Sequence, residues 1–150
     1  MATLGVFRDD FYNAISVLPQ SQYKTTTQNG GTLVAANMCG AGDCYLAASG
    51  QTAAQAVTTD SAVNIINQLL AATAGQAVPT GNGIPNTVSV TWTLTIINNN
   101  TSSGQITLTG GAGVTITGTN TIAITTSRIY LCTITGPSTI TMQNVGSGTV

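Results

Sequence analysis

The sequence predicts a mainly β protein: an antiparallel β-sandwich or jelly-roll-like domain with one short helix and an N-terminal arm. Three observations predict it. From Thr87 to Ile96 apolar and hydroxyl residues alternate without a break. Val88, Val90, Trp92, Leu94 and Ile96 fall on one side, and Thr87, Ser89, Thr91, Thr93 and Thr95 on the other. That period of two is the signature of a strand with one buried face. Next, glycine, asparagine and proline clusters cut residues 86–150 into short segments, at the spacing of a sandwich rather than of a parallel sheet with crossover helices. Finally, a helical period occurs in one convincing stretch, where Ala62, Ile65, Ile66, Leu69 and Leu70 form a single apolar stripe.

Residues 1–31 read as an arm. They hold both phenylalanines and the apolar residues Leu4, Val6, Phe7, Phe11, Tyr12, Ile15, Val17 and Leu18 on a segment too short to fold alone. Asp9–Leu18 reads as a short helix ending before Pro19. The run from Thr25 to Gly31 is a turn-rich break. These anchors serve either a partner or the chain's own core, and the sequence leaves the two readings equal. Residues 32–85 hold strand-like runs at Thr32–Asn37 and Tyr45–Ala48, around the turn from Cys39 to Cys44. The helix follows at about 60–74, with Thr59 or Asp60 as its N-cap and Gly75 as its stop. Pro79–Pro85 is a connector. Residues 86–150 form the β-sandwich region, and 32–150 read as one domain.

Beyond Thr87–Ile96, strands are expected at Gln105–Thr109, Val114–Thr117, Asn120–Ile124, Ser127–Thr135 and Ser138–Val145. Turns are expected at Asn98–Gly104, Gly110–Gly113, Gly118-Thr119, Thr125-Thr126 and Gly136-Pro137. Ser127–Thr135 is apolar on both faces, with Ile129 and Leu131 set against Tyr130, Cys132 and Ile134. It reads as a central strand or one at a subunit contact. The expected core is Val88, Val90, Trp92, Leu94, Ile96, Ile106, Leu108, Val114 and Ile116.

Composition narrows the function. Of 150 residues, 5% are charged, with three basic and four acidic side chains, no histidine and a net charge of −1. The acidic residues are all aspartates. Histidine does most acid–base catalysis near neutral pH, so an enzyme such as a cell-wall hydrolase is not expected. Three basic residues cannot supply the clustered charge that nucleic acid or an anionic membrane surface requires. No segment has the 18 or so consecutive apolar residues of a membrane span. Met1–Gln20 lacks the basic start of a secretory signal, so synthesis in a cytoplasm is expected. So few charges also predict poor colloidal solubility, unless copies of the chain or a partner cover much of the surface.

The candidate chemistry is thin. Cys39 and Cys44 are spaced C-x4-C, and with Cys132 and Asp43 they make an incomplete zinc set. A structural zinc site normally shows two ligand pairs, often with histidine, so no metal or other cofactor is expected. Cys39 and Cys44 either close a small loop as a disulfide outside the reducing cytoplasm or stay packed thiols, which is the default. Gly110–Gly113 lacks the lysine and following helix of a phosphate loop and reads as a hairpin. Asp9 and Asp10 have no third group to make a catalytic site. Arg128, the single charge of the β region, either meets another chain or snorkels to solvent.

From Thr58 onward the chain resembles a module of tailed-bacteriophage virion proteins. The residues are Thr58-Thr59-Asp60-Ser61-Ala62-Val63 leading into the helix, then Trp92-Thr93-Leu94-Thr95-Ile96-Ile97-Asn98 and Gly104-Gln105-Ile106-Thr107-Leu108. They continue with Gly113-Val114-Thr115-Ile116-Thr117-Gly118-Thr119-Asn120-Thr121-Ile122, with Ser127-Arg128 and with Thr139-Ile140-Thr141-Met142. The resemblance, over Thr58–Gly146, is to small capsid decoration, or cement, proteins and related fibre modules. It implies a β-sandwich worn as a homotrimer on the outside of a phage head, where it stabilises the shell. The implied partners are further copies of the chain and the major capsid protein. Within that expectation Phe7, Phe11, Tyr12 and Leu18 are the capsid-docking candidates, and Arg128 and Tyr130 the oligomer-contact candidates. The alternative is a tail- or head-fibre module that attaches to host-surface glycans.

Overall fold

The computed structural model describes residues 23–25, 30–38, 43–48, 53–72, 90–101 and 103–150. Side chains are described except within 23–25, 43–48 and 70–72. The strands are β1 (Tyr23–Thr25), β2 (Gly31–Leu33), β3 (Asp43–Ala48), β4 (Gln55–Thr59), β5 (Thr91–Asn98), β6 (Ile106–Thr109), β7 (Val114–Thr117), β8 (Thr121–Ile122), β9 (Thr126–Gly136) and β10 (Thr139–Thr149). The helices are α1 (Ala35–Met38) and α2 (Ala62–Ala72). The protein is mainly β, as the alternation in its sequence predicts. The strands make two sheets: a larger one ordered β1-β3-β5-β9-β10-β7 and a smaller one ordered β2-β4-β6-β8.

The sheets are not antiparallel throughout. Five of the eight strand pairings are parallel. The reason lies in the connections. As far as β8, each strand lies in the opposite sheet from the strand before it. A chain that crosses the core between strands returns to each sheet running the same way. Tyr23, Tyr45 and Thr95 therefore stand side by side in parallel register in the larger sheet. In the smaller sheet Gly31 stands beside Val57, and Val57 beside Leu108. The first six strands form stacked coils of a flattened solenoid, with α2 inserted between β4 and β5. Strand β9 then runs antiparallel to β5, and β10 antiparallel to β9. The Gly110–Gly113 turn, expected as a hairpin, is an arch from one sheet to the other. So is the turn at Gly118-Thr119. Pro137-Ser138 makes a true hairpin, joining β9 to β10.

One core lies between the sheets. Leu33, Val57, Ile106, Leu108 and Ile122 enter it from the smaller sheet, and Trp92, Leu94, Ile96, Tyr130, Cys132, Ile134, Ile140 and Met142 from the larger. Each fully buried Leu or Ile stabilises the fold by roughly 1.5–3 kcal/mol. Ala35 and Met38 of α1 and Ala62, Ile65 and Ile66 of α2 belong to the same core. Of the expected core set, Trp92, Leu94, Ile96, Ile106 and Leu108 are buried, Val90, Val114 and Ile116 are half-buried, and Val88 lies outside the described residues.

Several elements depart from expectation. Thr32–Asn37 is not one strand: β2 stops at Leu33 and α1 begins at Ala35. The Asp60 carboxylate accepts the Ala35 N–H at 3.0 Å, which satisfies a donor at the start of this second helix. The N-cap of α2 is Ser61, whose Oγ accepts the Asn64 N–H at 3.3 Å. Strand β4 was not expected, because Val57 is the sole large apolar residue in Gln55–Thr59. Residues 23–25 and Gly31, placed in the arm by composition, contribute backbone to the sheets. Residues 1–22 and 26–29 of the arm, the connector and Cys39 lie outside the described residues.

The arch from β6 to β7 depends on glycine. Gly113 has φ +76°, and a Cβ there would run into the Ser138 carbonyl and press on Ala62. Its own carbonyl accepts the Ile140 N–H at 3.0 Å, so this turn sets the register of β7 on β10.

Candidate interaction surface

Alternation fixes what the larger sheet shows to the outside. Trp92, Leu94, Ile96, Tyr130, Cys132, Ile134, Ile140 and Met142 point into the core, so their chain neighbours point away from it. The register then lines these neighbours up across four adjacent strands. Thr91, Thr133, Thr141 and Thr115 form one row, and Thr93, Leu131, Gln143 and Thr117 the next. Beyond them Thr95, which is buried within the chain, pairs with Ile129, and Ile97 with Ser127. Opposite Ile129 and Ser127 on β10 stand Gly146 and Gly148, which carry no side chain. The face is thus a row of threonines beside a patch of half-buried aliphatic residues, Ile97, Ile129 and Leu131. None of these positions on β5, β9, β10 or β7 is charged. Register puts Asp43 of β3 in line with Thr93, at the margin.

The sequence-based contact residues of β9 land elsewhere. Tyr130 is fully buried in the chain's own core, and its phenol donates to the Thr119 carbonyl at 3.1 Å. It is therefore not a surface contact. Burial pushes its pKa up to about 12, against a smaller opposing pull from the Arg128 charge. Arg128 shares the inward side of β9, since it pairs with Ile96. Its Nε donates to the Thr121 carbonyl of β8 at 3.2 Å, bridging the two sheets at the end of the sandwich. Phe7, Phe11, Tyr12 and Leu18 lie outside the described residues. So does Cys39, and the side chain of Cys44 is likewise undescribed. Cys132 is buried and donates its thiol hydrogen towards the Tyr130 carbonyl.

Two polar centres are structural. Asn98 is fully buried, and its Nδ2 donates to the carbonyls of Gly104 at 2.9 Å and Ile122 at 3.1 Å. Its Oδ1 accepts the Asn100 side-chain amide at 2.6 Å. The pair satisfies carbonyls where the chain leaves the larger sheet for the smaller. Asp60 accepts from Asn64 Nδ2 at 2.7 Å, Ser61 N at 2.8 Å and Ala35 N. The Asn64 bond is the main reason its pKa lies below the ordinary carboxylate value, with the Ala35 N–H next. Asp60 also lines a shallow groove of about 440 Å³ between α1 and α2, with Val34, Ala35, Ala36, Asn64, Asn67 and Gln68. Its oxygens are already engaged by donors at the starts of both helices. Among the described residues, no three of His, Cys, Asp or Glu lie close enough to hold a metal ion. No described helix is long and apolar enough to cross a membrane.

The larger sheet also ends on an open edge. Strand β7 pairs with β10 on one side and with no described strand on the other. With Ile140 N bonded to Gly113 O, the parallel ladder turns the backbone of Thr115 towards β10 and that of Ile116 outwards. Edge strands usually carry a lysine, a proline or a bulge that discourages further pairing. Val114–Thr117 carries none of these.

No protein-family model, curated protein or solved structure matches this chain.

Proposed function

We propose that this protein is a non-enzymatic virion component, a capsid decoration protein that assembles as a homotrimer, binds the outside of an assembled phage head and stabilises it. The observation that carries the reading is the open β7 edge, which no described strand pairs, on a sheet whose outward positions on β5, β9, β10 and β7 carry no charge. Such an edge adds to a neighbour's sheet through main-chain hydrogen bonds, with side chains on alternate positions setting specificity. A protein that binds the assembled shell and not its dissociated subunits stabilises the shell by mass action. The resemblance of the Thr58–Gly146 segment to decoration proteins supports the same assignment. The charges agree: both described side-chain charges, Asp60 and Arg128, are engaged in holding the fold.

The test is to mix the purified chain with phage heads that lack decoration. Binding should saturate on co-sedimentation, and decorated heads should withstand higher temperature than bare ones. Ile116→Pro removes the outward N–H of β7 and should weaken binding while circular dichroism still reports a folded β protein. Deleting Met1–Leu18 separates the contribution of the arm: loss of binding by a folded variant assigns docking to Phe7, Phe11, Tyr12 and Leu18 as well. Heads that neither bind the full chain nor gain heat resistance would refute the assignment.

A further inference from the structure

We infer that the open flank of β10, from Asn144 to Thr149, takes the Asp9–Asp10 segment of a second copy of this chain, with Arg128 as the group that recognises it. The inference rests on the self-assembly in the reading above, for which it names the contact, and is independent of shell binding.

The flank is a gap in the larger sheet. Strand β7 pairs with β10 from Ile140 to Gln143 and no further. At Gly118, where φ is +82°, the chain turns beside Asn144 and leaves for β8 in the smaller sheet. Strand β10 runs on to Thr149, paired with β9 on one side and with no described strand on the other. Ser147, Gly148 and Thr149 are exposed, as are Val145 (53%) and Val150 (58%) at either end of this stretch. Alternate residues of such a flank turn their N–H and C=O groups outward. An extended segment laid there continues the line of β7 and adds a strand to the sheet.

Arg128 gives the gap a chemical preference. It is paired with Ser147, one strand in from the gap, and is half-buried. Its Nε donates to the Thr121 carbonyl, which engages one of the five N–H donors of a guanidinium. Asp60, the one carboxylate whose side chain is described, is bonded to Asn64, Ser61 and Ala35. Among the described residues, therefore, no side-chain acid neutralises Arg128. The planar fork it presents matches a carboxylate. Of the four aspartates, Asp60 is committed, and Asp43 stands within the sheet on β3, in register with Thr93. Asp9 and Asp10 are left, adjacent to one another in the 22 residues that precede β1. Neighbouring side chains of an extended segment take opposite faces. One of the two carboxylates thus falls on the Arg128 side in either register.

Position selects a second copy as the donor. Tyr23, where β1 begins, is in line with Tyr45, Thr95, Ile129 and Gly146. It stands level with the gap but four strand spacings away, roughly 19 Å. The chain's own segment would have to cross the width of the sheet to reach the gap. A neighbour set edge to edge brings its β1, and the segment before it, directly alongside. Such a contact joins two unlike surfaces, and contacts of that kind close into rings such as a trimer. The docking extends the chain through Asp10, so a helix in the arm begins no earlier than Phe11. It leaves Phe11, Tyr12 and Leu18 for the shell.

The test uses full-length chains in solution with no phage heads present. Sedimentation velocity at tens of micromolar should show an assembly of more than one chain for the parent. Asp9→Lys/Asp10→Lys and Arg128→Glu should each sediment as monomers that keep their β circular dichroism. Mixed in equal amounts, the two variants should sediment together, because each supplies the arm that suits the other's flank. If Arg128→Glu unfolds the chain, Arg128→Gln keeps a donor for the Thr121 carbonyl and should still weaken assembly, and the lysine pair tests the arm without touching the described fold. Three results would overturn the inference: a monomeric parent, folded variants that assemble like the parent, or variants that stay separate on mixing. The last would mean that each chain fills the gap with its own arm. Loss of head binding by a parent that still assembles would refute the decoration reading alone.

Discussion

Trp92 donates its indole N–H to the Met38 carbonyl at 2.8 Å, across 54 residues of sequence and inside the core. The bond fixes the last residue of α1 against the start of β5. It satisfies a carbonyl at the end of a four-residue helix that has few partners of its own. Trp92→Phe keeps most of the apolar surface but leaves that carbonyl unpaired. It should cost about 1–3 kcal/mol in urea unfolding followed by circular dichroism. An unchanged midpoint would show that water replaces the indole.

The two sides of β5 should respond very differently to truncation. Leu94 is fully buried, and Leu94→Ala should destabilise by about 2–5 kcal/mol. Thr91 is exposed on the other side, and Thr91→Ala should stay within about 0.5 kcal/mol. Equal losses at the two positions would contradict the face assignment.

Asn98→Asp tests the buried amide centre. The substitution puts a carboxylate where two carbonyls now receive hydrogen bonds. At neutral pH a buried charge facing carbonyl oxygens is strongly unfavourable, so the variant should unfold at far lower denaturant than the parent. Protonation restores a donor, so part of the loss should be recovered as pH falls towards 4. A variant as stable as the parent at pH 7 would mean that Asn98 is solvated.

Tyr130 predicts an alkaline limit. In the fold its phenol stays neutral up to about 12, while the unperturbed value is 10.0. Between those two values the unfolded chain has lost a proton that the folded chain retains. Stability from this group is therefore complete below pH 10 and is lost as pH rises towards 12. Thermal unfolding of Tyr130→Phe should show a flatter decline over that window than the parent. Identical slopes would remove Tyr130 as the cause.

The sequence carries the β class and most strand positions because alternation reports directly on which face is buried. Val114–Thr117 matches β7 to the residue, and Thr126–Gly136 exceeds its expected span by a residue at each end. Strand direction is not written in a single strand. Alternation reads the same whether the next strand returns beside it or crosses the core, so the arch at Gly110–Gly113 reads as a hairpin. Helix α1 was hidden because its start is stabilised by Asp60, far along the chain. The role of Tyr130 was misread for a related reason. With β9 apolar on both faces, the pattern alone cannot say which side is the core. The partner strands decide it, and they turn Ile129 and Leu131 outwards.

The coil-like path also sets an order of events during folding. The β9–β10 hairpin closes a two-residue turn and can form early at little loop entropy. Most other ladders join distant segments: Tyr45 must find Thr95, and Val57 must find Leu108 across the insertion that holds α2. Chains dominated by such long-range pairing fold slowly. The C-terminal hairpin therefore has to wait, presenting the flank of β9 until β5 arrives to cover it. During that interval a second nascent chain offers an identical β5. Exchange of this strand between chains is a route to entangled assemblies, and its frequency rises with the rate of synthesis.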